Sequence, residues 1–86
     1  MSDTKKILVV EDEAHLAKGL QFNLEREGYV VSLVDNGESA IELLSEEAFD
    51  LMILDIMLPK LNGIEVARRV RNTDLRFPIL MLSAKS

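Results

Sequence analysis

Apolar residues gather into four short runs along this chain, with three periodic stretches between them. Ile7-Leu8-Val9-Val10 stops on three acids, Glu11-Asp12-Glu13, and reads as a buried strand with carboxylates at its exit. Leu16, Leu20 and Leu24 then recur every fourth position, with Ala17 near the same stripe. This predicts an amphipathic helix from Ala14 to Glu27, stopped by Gly28 in the left-handed region. His15, Lys18, Gly19 and Phe22 fall on its opposite face. Tyr29 to Val34 predicts a second strand, closed by the turn residues Asp35-Asn36-Gly37. Ala40, Leu43, Leu44 and Ala48 carry helical spacing over Glu38 to about Glu47.

The third run, Leu51-Met52-Ile53-Leu54, ends on Asp55 and is too continuous for a strand with one wet face, so it predicts a strand covered on both sides. After the loop residues Pro59 to Gly63, a third helix is expected from Ile64 to Asn72. It should bury Val66, Ala67 and Val70 and pair Glu65 with Arg69 on its wet side. Arg68, Arg69 and Arg71 read as a solvated face. Phe77-Pro78 breaks the chain, and Ile79-Leu80-Met81-Leu82 predicts a fourth strand ending at Ser83-Ala84.

Strands alternating with helices in the order β-α-β-α-β-α-β imply an α/β fold, a doubly wound parallel sheet with right-handed crossovers and helices on both faces. Such sheets bind ligands outside the carboxyl ends of their strands, where the winding reverses. Glu11 and Asp12 follow the first strand, Asp55 the third and Ser83 the fourth. An aspartate at a strand exit most simply makes an Asx-turn. If the first and third strands are neighbours, however, these groups meet in one pocket. Three crowded carboxylates need a counter-charge or a proton. All-oxygen ligands favour Mg²⁺, which takes one or two carboxylates and keeps waters, whereas the spacing matches no EF-hand loop for Ca²⁺. A carboxylate beside Mg²⁺ can also serve as the nucleophile of phosphoryl transfer, forming an aspartyl phosphate, and a Ser83 hydroxyl can donate to the added group.

Composition narrows the classes. Eighty-six residues with 48% apolar and 29% charged content fit one globular domain, residues 1–86, with a single small core. The net charge of −5 argues against a nucleic-acid surface in this segment, and the absence of cysteine excludes disulfides and thiolate metal sites. No apolar run approaches the roughly 20 residues of a membrane span, and Met1 to Lys6 lacks the apolar core of a secretion signal. A cytoplasmic location is therefore expected.

Three segments, ILVVEDE, LMILDIMLPKLNG and PILMLSA, match in order and spacing the pattern of one family. The chain resembles the receiver domain of bacterial two-component response regulators, with a flavodoxin-like fold. The resemblance implies that a partner histidine kinase transfers a phosphoryl group to Asp55. It implies Mg²⁺ held by Asp12, Asp55 and the backbone carbonyl of Met57, with Glu11 assisting through water. Ser83 takes the Ser/Thr switch position beside the small Ala84. The wording DIMLPKLNG is most similar to regulators of the OmpR/PhoB type, which carry a C-terminal winged-helix DNA-binding output domain. Family receivers have five strands and five helices, with an essential lysine ending the fifth strand, so this chain is expected to be truncated after the fourth. Lys85 lies too close to Ser83 to be that lysine. A sheet ending there exposes an apolar edge, which invites a homodimer or strand exchange.

Three other readings compete. A non-phosphorylated interaction module would keep the fold and signal through its surface, with His15, Lys18 and Phe22 as the partner-binding face; the family docks its kinase on this first helix. A flavin or nucleotide enzyme fits poorly, because the loop after the first strand is Glu11-Asp12-Glu13 rather than Gly-rich. A dehalogenase-type phosphatase needs a second aspartate where Met57 stands.

Overall fold

The computed structural model describes residues 4–58, 60–74 and 76–82. Among them, four strands and three helices alternate: β1 (Lys6–Val10), α1 (Ala14–Arg26), β2 (Val30–Val34), α2 (Gly37–Glu46), β3 (Leu51–Asp55), α3 (Gly63–Thr73) and β4 (Ile79–Leu82). The strands form one parallel sheet in the order β2-β1-β3-β4. β1 and β3 are thus neighbours, and the winding reverses between them. α1 packs over one face, on Ile7, Val9, Val31 and Ile53, through Leu20 and Leu24. α2 and α3 cover the other, where Leu8, Val10, Met52 and Leu54 meet Ala40, Val66 and Val70. A single hand of crossover demands this split, since the step from β2 to β3 runs opposite to that from β1 to β2.

The central strands are buried almost throughout, as two covered faces require; Leu8, Val9, Met52 and Leu54 are wholly inaccessible. β4 alternates instead. Ile79 and Met81 pack toward the α2/α3 core while Leu80 is 52% exposed, so the expected apolar edge is present on the α1 side. There, Ile7, Leu24, Tyr29, Leu51, Ile53 and Leu80 line an open groove of about 430 Å³.

Helix ends follow local chemistry. Gly28 has φ +97°, the left-handed stop expected of it, just past the Glu27 cap. Asn36 and Asn62 cap α2 and α3, their side-chain oxygens accepting the N–H groups of Ser39 at 2.8 Å and Glu65 at 3.0 Å. Both helices therefore begin one residue earlier than the apolar spacing alone predicts. Glu65 forms the expected bond with Arg69 at 3.3 Å and a second with Arg68 at 2.8 Å, both on the exposed face.

Three expectations need correction. Leu16 is 52% exposed and Ala17 is buried in its place. The helix starts at Ala14 as expected, but its inward stripe runs through residues 17, 20 and 24, and Leu16, in the first turn, lies off that stripe. Ala48 is exposed, since α2 ends at Glu46 and the chain is extended at Glu47. Arg71 does not stand in water with Arg68 and Arg69. Its guanidinium donates to the carbonyls of Phe77 and Asp74, pinning the turn between α3 and β4.

These placements predict a stability ranking. Leu54→Ala, at a wholly buried site, should cost about 2–5 kcal/mol, and Leu20→Ala more than about 1 kcal/mol, whereas Leu16→Ala should stay within about 0.5 kcal/mol. Urea unfolding measures all three. A Leu16→Ala cost equal to that of Leu20→Ala would mean that α1 is rotated from the orientation described.

Candidate phosphoacceptor and metal site

β1 and β3 lie side by side in register, Val10 opposite Leu54, so their carboxyl ends open at the same rim. Asp55 is the last residue of β3 and Glu11 the first after β1. The Glu11 N–H extends the ladder by donating to the Val34 carbonyl at 3.0 Å. Glu11, Asp12 and Asp55 each place one carboxylate oxygen within 4.8 Å of the other two. Glu11 and Asp55 are buried, at 5% and 4% exposure, while Asp12 is open to solvent. The expected convergence is therefore present, and it spans residues 44 positions apart in sequence.

The three acids after β1 divide their work. Glu13 turns away from the cluster and caps α1, its Oε1 accepting the Leu16 N–H at 2.9 Å. Glu11 Oε2 accepts the Glu13 N–H at 3.0 Å, which fixes its carboxylate toward Asp55. Asp55 makes the simple turn as well: its Oδ1 accepts the Met57 N–H at 3.1 Å. That bond sets the rotamer of the carboxylate and the course of the chain that follows it. Met57 itself is 65% exposed, beside Asp12, Asn62 and Ile64. Lys60 takes φ +63° in the turn toward α3, a left-handed conformation unusual for a side-chain-bearing residue.

Burial raises the pKa of Glu11 above 4.5. The Glu13 N–H opposes the shift, and the charge of Asp55, with a smaller part from Asp12, adds to it. The pocket is therefore charge-strained on its own. A divalent cation fits the donor set: three carboxylate oxygens within 4.8 Å of one another are close enough to share one Mg²⁺, directly or through the waters that it keeps. On the α1 face His15, Lys18, Gly19 and Phe22 are exposed as expected, and the Arg26 guanidinium stands 5.7 Å from the Phe22 ring centroid. Ser83, the expected switch residue, lies outside the described residues, as do Ala84 and Lys85. Leu82, which precedes Ser83, pairs with Asp55 across the sheet.

Sequence reasoning passed over the caps at Asn36 and Asn62 and the close approach of Gly63 to Asp55. The capping pattern Asn62-x-x-Glu65 was a usable signal.

A parallel α/β sheet with an acidic pocket at its switch point defines a class, and comparison with known proteins shows which. The chain belongs to the response regulator receiver domain family, whose pattern matches residues 7–86. It is 54% identical over 81 residues to the alkaline phosphatase synthesis transcriptional regulatory protein PhoP of Bacillus subtilis (strain 168), covering 94% of this chain and 34% of PhoP. It is 46% identical over 79 residues to the uncharacterized transcriptional regulatory protein YkoG of the same organism, covering 92% and 35%. The chain thus spans about a third of the length of these relatives. Among solved structures it is similar to the response regulator TrrA of Thermotoga maritima in complex with Mg²⁺–BeF. That match has a TM-score of 0.92, 38% identity, and covers 96% of this chain and 72% of that one. TrrA in complex with the histidine kinase ThkA matches with a TM-score of 0.91 and the same identity and coverage. No helix among the described residues is long and apolar enough to cross a membrane.

The charge strain predicts a pH dependence. A buried acid with a raised pKa contributes stability that is full below its unfolded value, near 4.5, and lost as pH rises through the higher folded value. Asp55→Asn removes a charge facing Glu11. In metal-free buffer its stability relative to the unaltered protein should rise as pH goes from 4.5 toward 8. Urea midpoints across that range measure it; a difference that does not change with pH would contradict the contribution of the Asp55 charge to the shift.

Proposed function

We propose that this chain is the phosphoacceptor switch of a two-component system, with Asp55 taking a phosphoryl group from a partner histidine kinase. The observation that carries the reading is the Glu11–Asp12–Asp55 cluster at the β1/β3 rim. In the transfer, an Asp55 carboxylate oxygen attacks phosphorus, the P–N bond to the kinase imidazole breaks, and an acyl phosphate forms. The departing imidazole retains the electron pair and takes up a proton from water. Met57 N–H on Oδ1 holds the nucleophile in one rotamer, which favours a single direction of attack.

Asp12, Asp55 and the Met57 carbonyl would hold Mg²⁺, with Glu11 acting through water. The ion would neutralise the charge that gathers on the phosphoryl oxygens. Ser83 is the proposed hydrogen-bond donor to the bound phosphoryl group and the switch residue. His15, Lys18 and Phe22 form the proposed kinase-docking face. The TrrA–ThkA complex supports a kinase partner, and TrrA with Mg²⁺–BeF supports the cation. Because PhoP and YkoG are transcriptional regulatory proteins three times as long as this match, the reading includes a DNA-binding output domain elsewhere in the protein. It is a regulatory domain that assists its own phosphorylation rather than an enzyme with turnover as its purpose, and it acts in the cytoplasm, where kinases draw on ATP.

Labelling the full-length protein with acetyl phosphate tests this. Incorporation should require Mg²⁺, vanish in Asp55→Asn and fall at least about tenfold in Asp12→Ala. Undiminished acyl phosphate in Asp55→Asn would refute the assignment.

A further inference from the structure

Gly63, the first residue of α3, is buried against the backbone of the site. Its N–H donates to the Ile56 carbonyl at 2.9 Å, an oxygen that also accepts the Leu58 N–H at 3.1 Å. A Cβ at Gly63 would stand 2.3 Å from the Asp55 carbonyl oxygen, 2.7 Å from the Ile56 Cα and 2.9 Å from the Asp55 carbonyl carbon. Real Cβ atoms essentially never approach closer than 3.0 Å, and all three of these neighbours are main chain, with no side chain to swing aside. Gly63 lies outside the left-handed region, so glycine serves here for space and not for φ.

Relief of such a clash would part α3 from the Asp55–Ile56 peptide by at least about 0.7 Å, beyond the roughly 0.5 Å within which a working site holds its groups. The movement cannot stay local. Ile56 N–H is bonded to the Leu82 carbonyl at 3.0 Å, and Met57 N–H to Asp55 Oδ1 at 3.1 Å, so peptide and carboxylate shift together.

We propose that Gly63 is a positioning residue for Asp55: by letting α3 dock flush on the Asp55–Ile56 peptide, it sets the spacing of that carboxylate from Glu11 and Asp12. The proposal rests on the reading of Asp55 as cation ligand and phosphoacceptor. Gly37 provides an internal control. It too is the buried first residue of a helix behind an asparagine cap, but a Cβ there meets Val66 Cγ2 at 2.4 Å and the Leu61 carbonyl oxygen at 3.0 Å, and touches no member of the acidic cluster.

The test compares Gly63→Ala with Gly37→Ala in the full-length protein by two readouts: metal-free backbone amide shifts of Asp55, Ile56 and Met57, and the dissociation constant for Mg²⁺ alone. Both variants should lose stability. Gly63→Ala should displace the three amides and weaken Mg²⁺ at least about tenfold, while Gly37→Ala leaves the amides in place and the constant within about threefold. Equal effects of the two variants, or unmoved amides in Gly63→Ala, would overturn the proposal. If the unaltered protein binds no Mg²⁺, the cation reading falls and the amide shifts alone decide the positioning role. Should Gly63→Ala not fold, Asn62→Ala, which removes the α3 cap, decides instead: displaced Asp55 and Met57 amides support the coupling of α3 to the site, and unchanged ones refute it.

Discussion

Crowding of like charge at the β1/β3 rim is the constraint on which the rest of this structure turns. Two carboxylates, Glu11 and Asp55, are buried beside a third, Asp12, in a pocket small enough for one ion. A fold that served stability alone would place apolar or paired groups there, as it does one residue earlier in each strand with Val10 and Leu54. What keeps the acids in place is main chain: the Glu13 N–H on Glu11, the Met57 N–H on Asp55, and the ladder that joins β1 to β3. The geometry of the cluster is thus set by the chain's own backbone, and the repulsion left among the three carboxylates is what a cation or a proton would offset.

The scaffold around it is matched to that task. β1 and β3 occupy the middle of the sheet and are sealed on both faces, so the ends that carry the acids do not drift. α3 is tied to the residue after Asp55 through the Ile56 carbonyl, and β4 through the Leu82 carbonyl, which accepts the Ile56 N–H. The peptide that follows Asp55 is thus bonded to two elements at once, α3 and β4. The thinner cover lies on the α1 side of β3 and β4, where Leu80 is exposed.

Much of this was legible in the residues themselves. Unbroken apolar runs marked β1 and β3 because central parallel strands need no polar alternation, and Gly28 marked the end of α1 through its left-handed stop. The pocket was legible once β1 and β3 were taken as neighbours, an adjacency that crossover handedness allows but apolar spacing does not encode. Failures came where a side chain's role depends on the exact phase of a helix or on a neighbour far along the chain. Leu16 has the spacing of a core residue but sits in the first turn; Arg71 resembles its exposed neighbours until its two carbonyl partners are seen. Gly63 read as loop chemistry, because a missing Cβ acquires meaning only when the Asp55 carbonyl is found where that atom would be.

The most direct measurement is the unfolding midpoint of the metal-free protein titrated with Mg²⁺ at neutral pH, against NaCl matched for ionic strength. A shared cation site predicts stabilisation that grows with the logarithm of Mg²⁺ above the dissociation constant, about 2.7 kcal/mol at a hundredfold excess over it. NaCl should not reproduce it, and it should be largely lost in Asp12→Ala. A midpoint that responds to Mg²⁺ no more than to matched NaCl would mean that the three carboxylates do not act as one site.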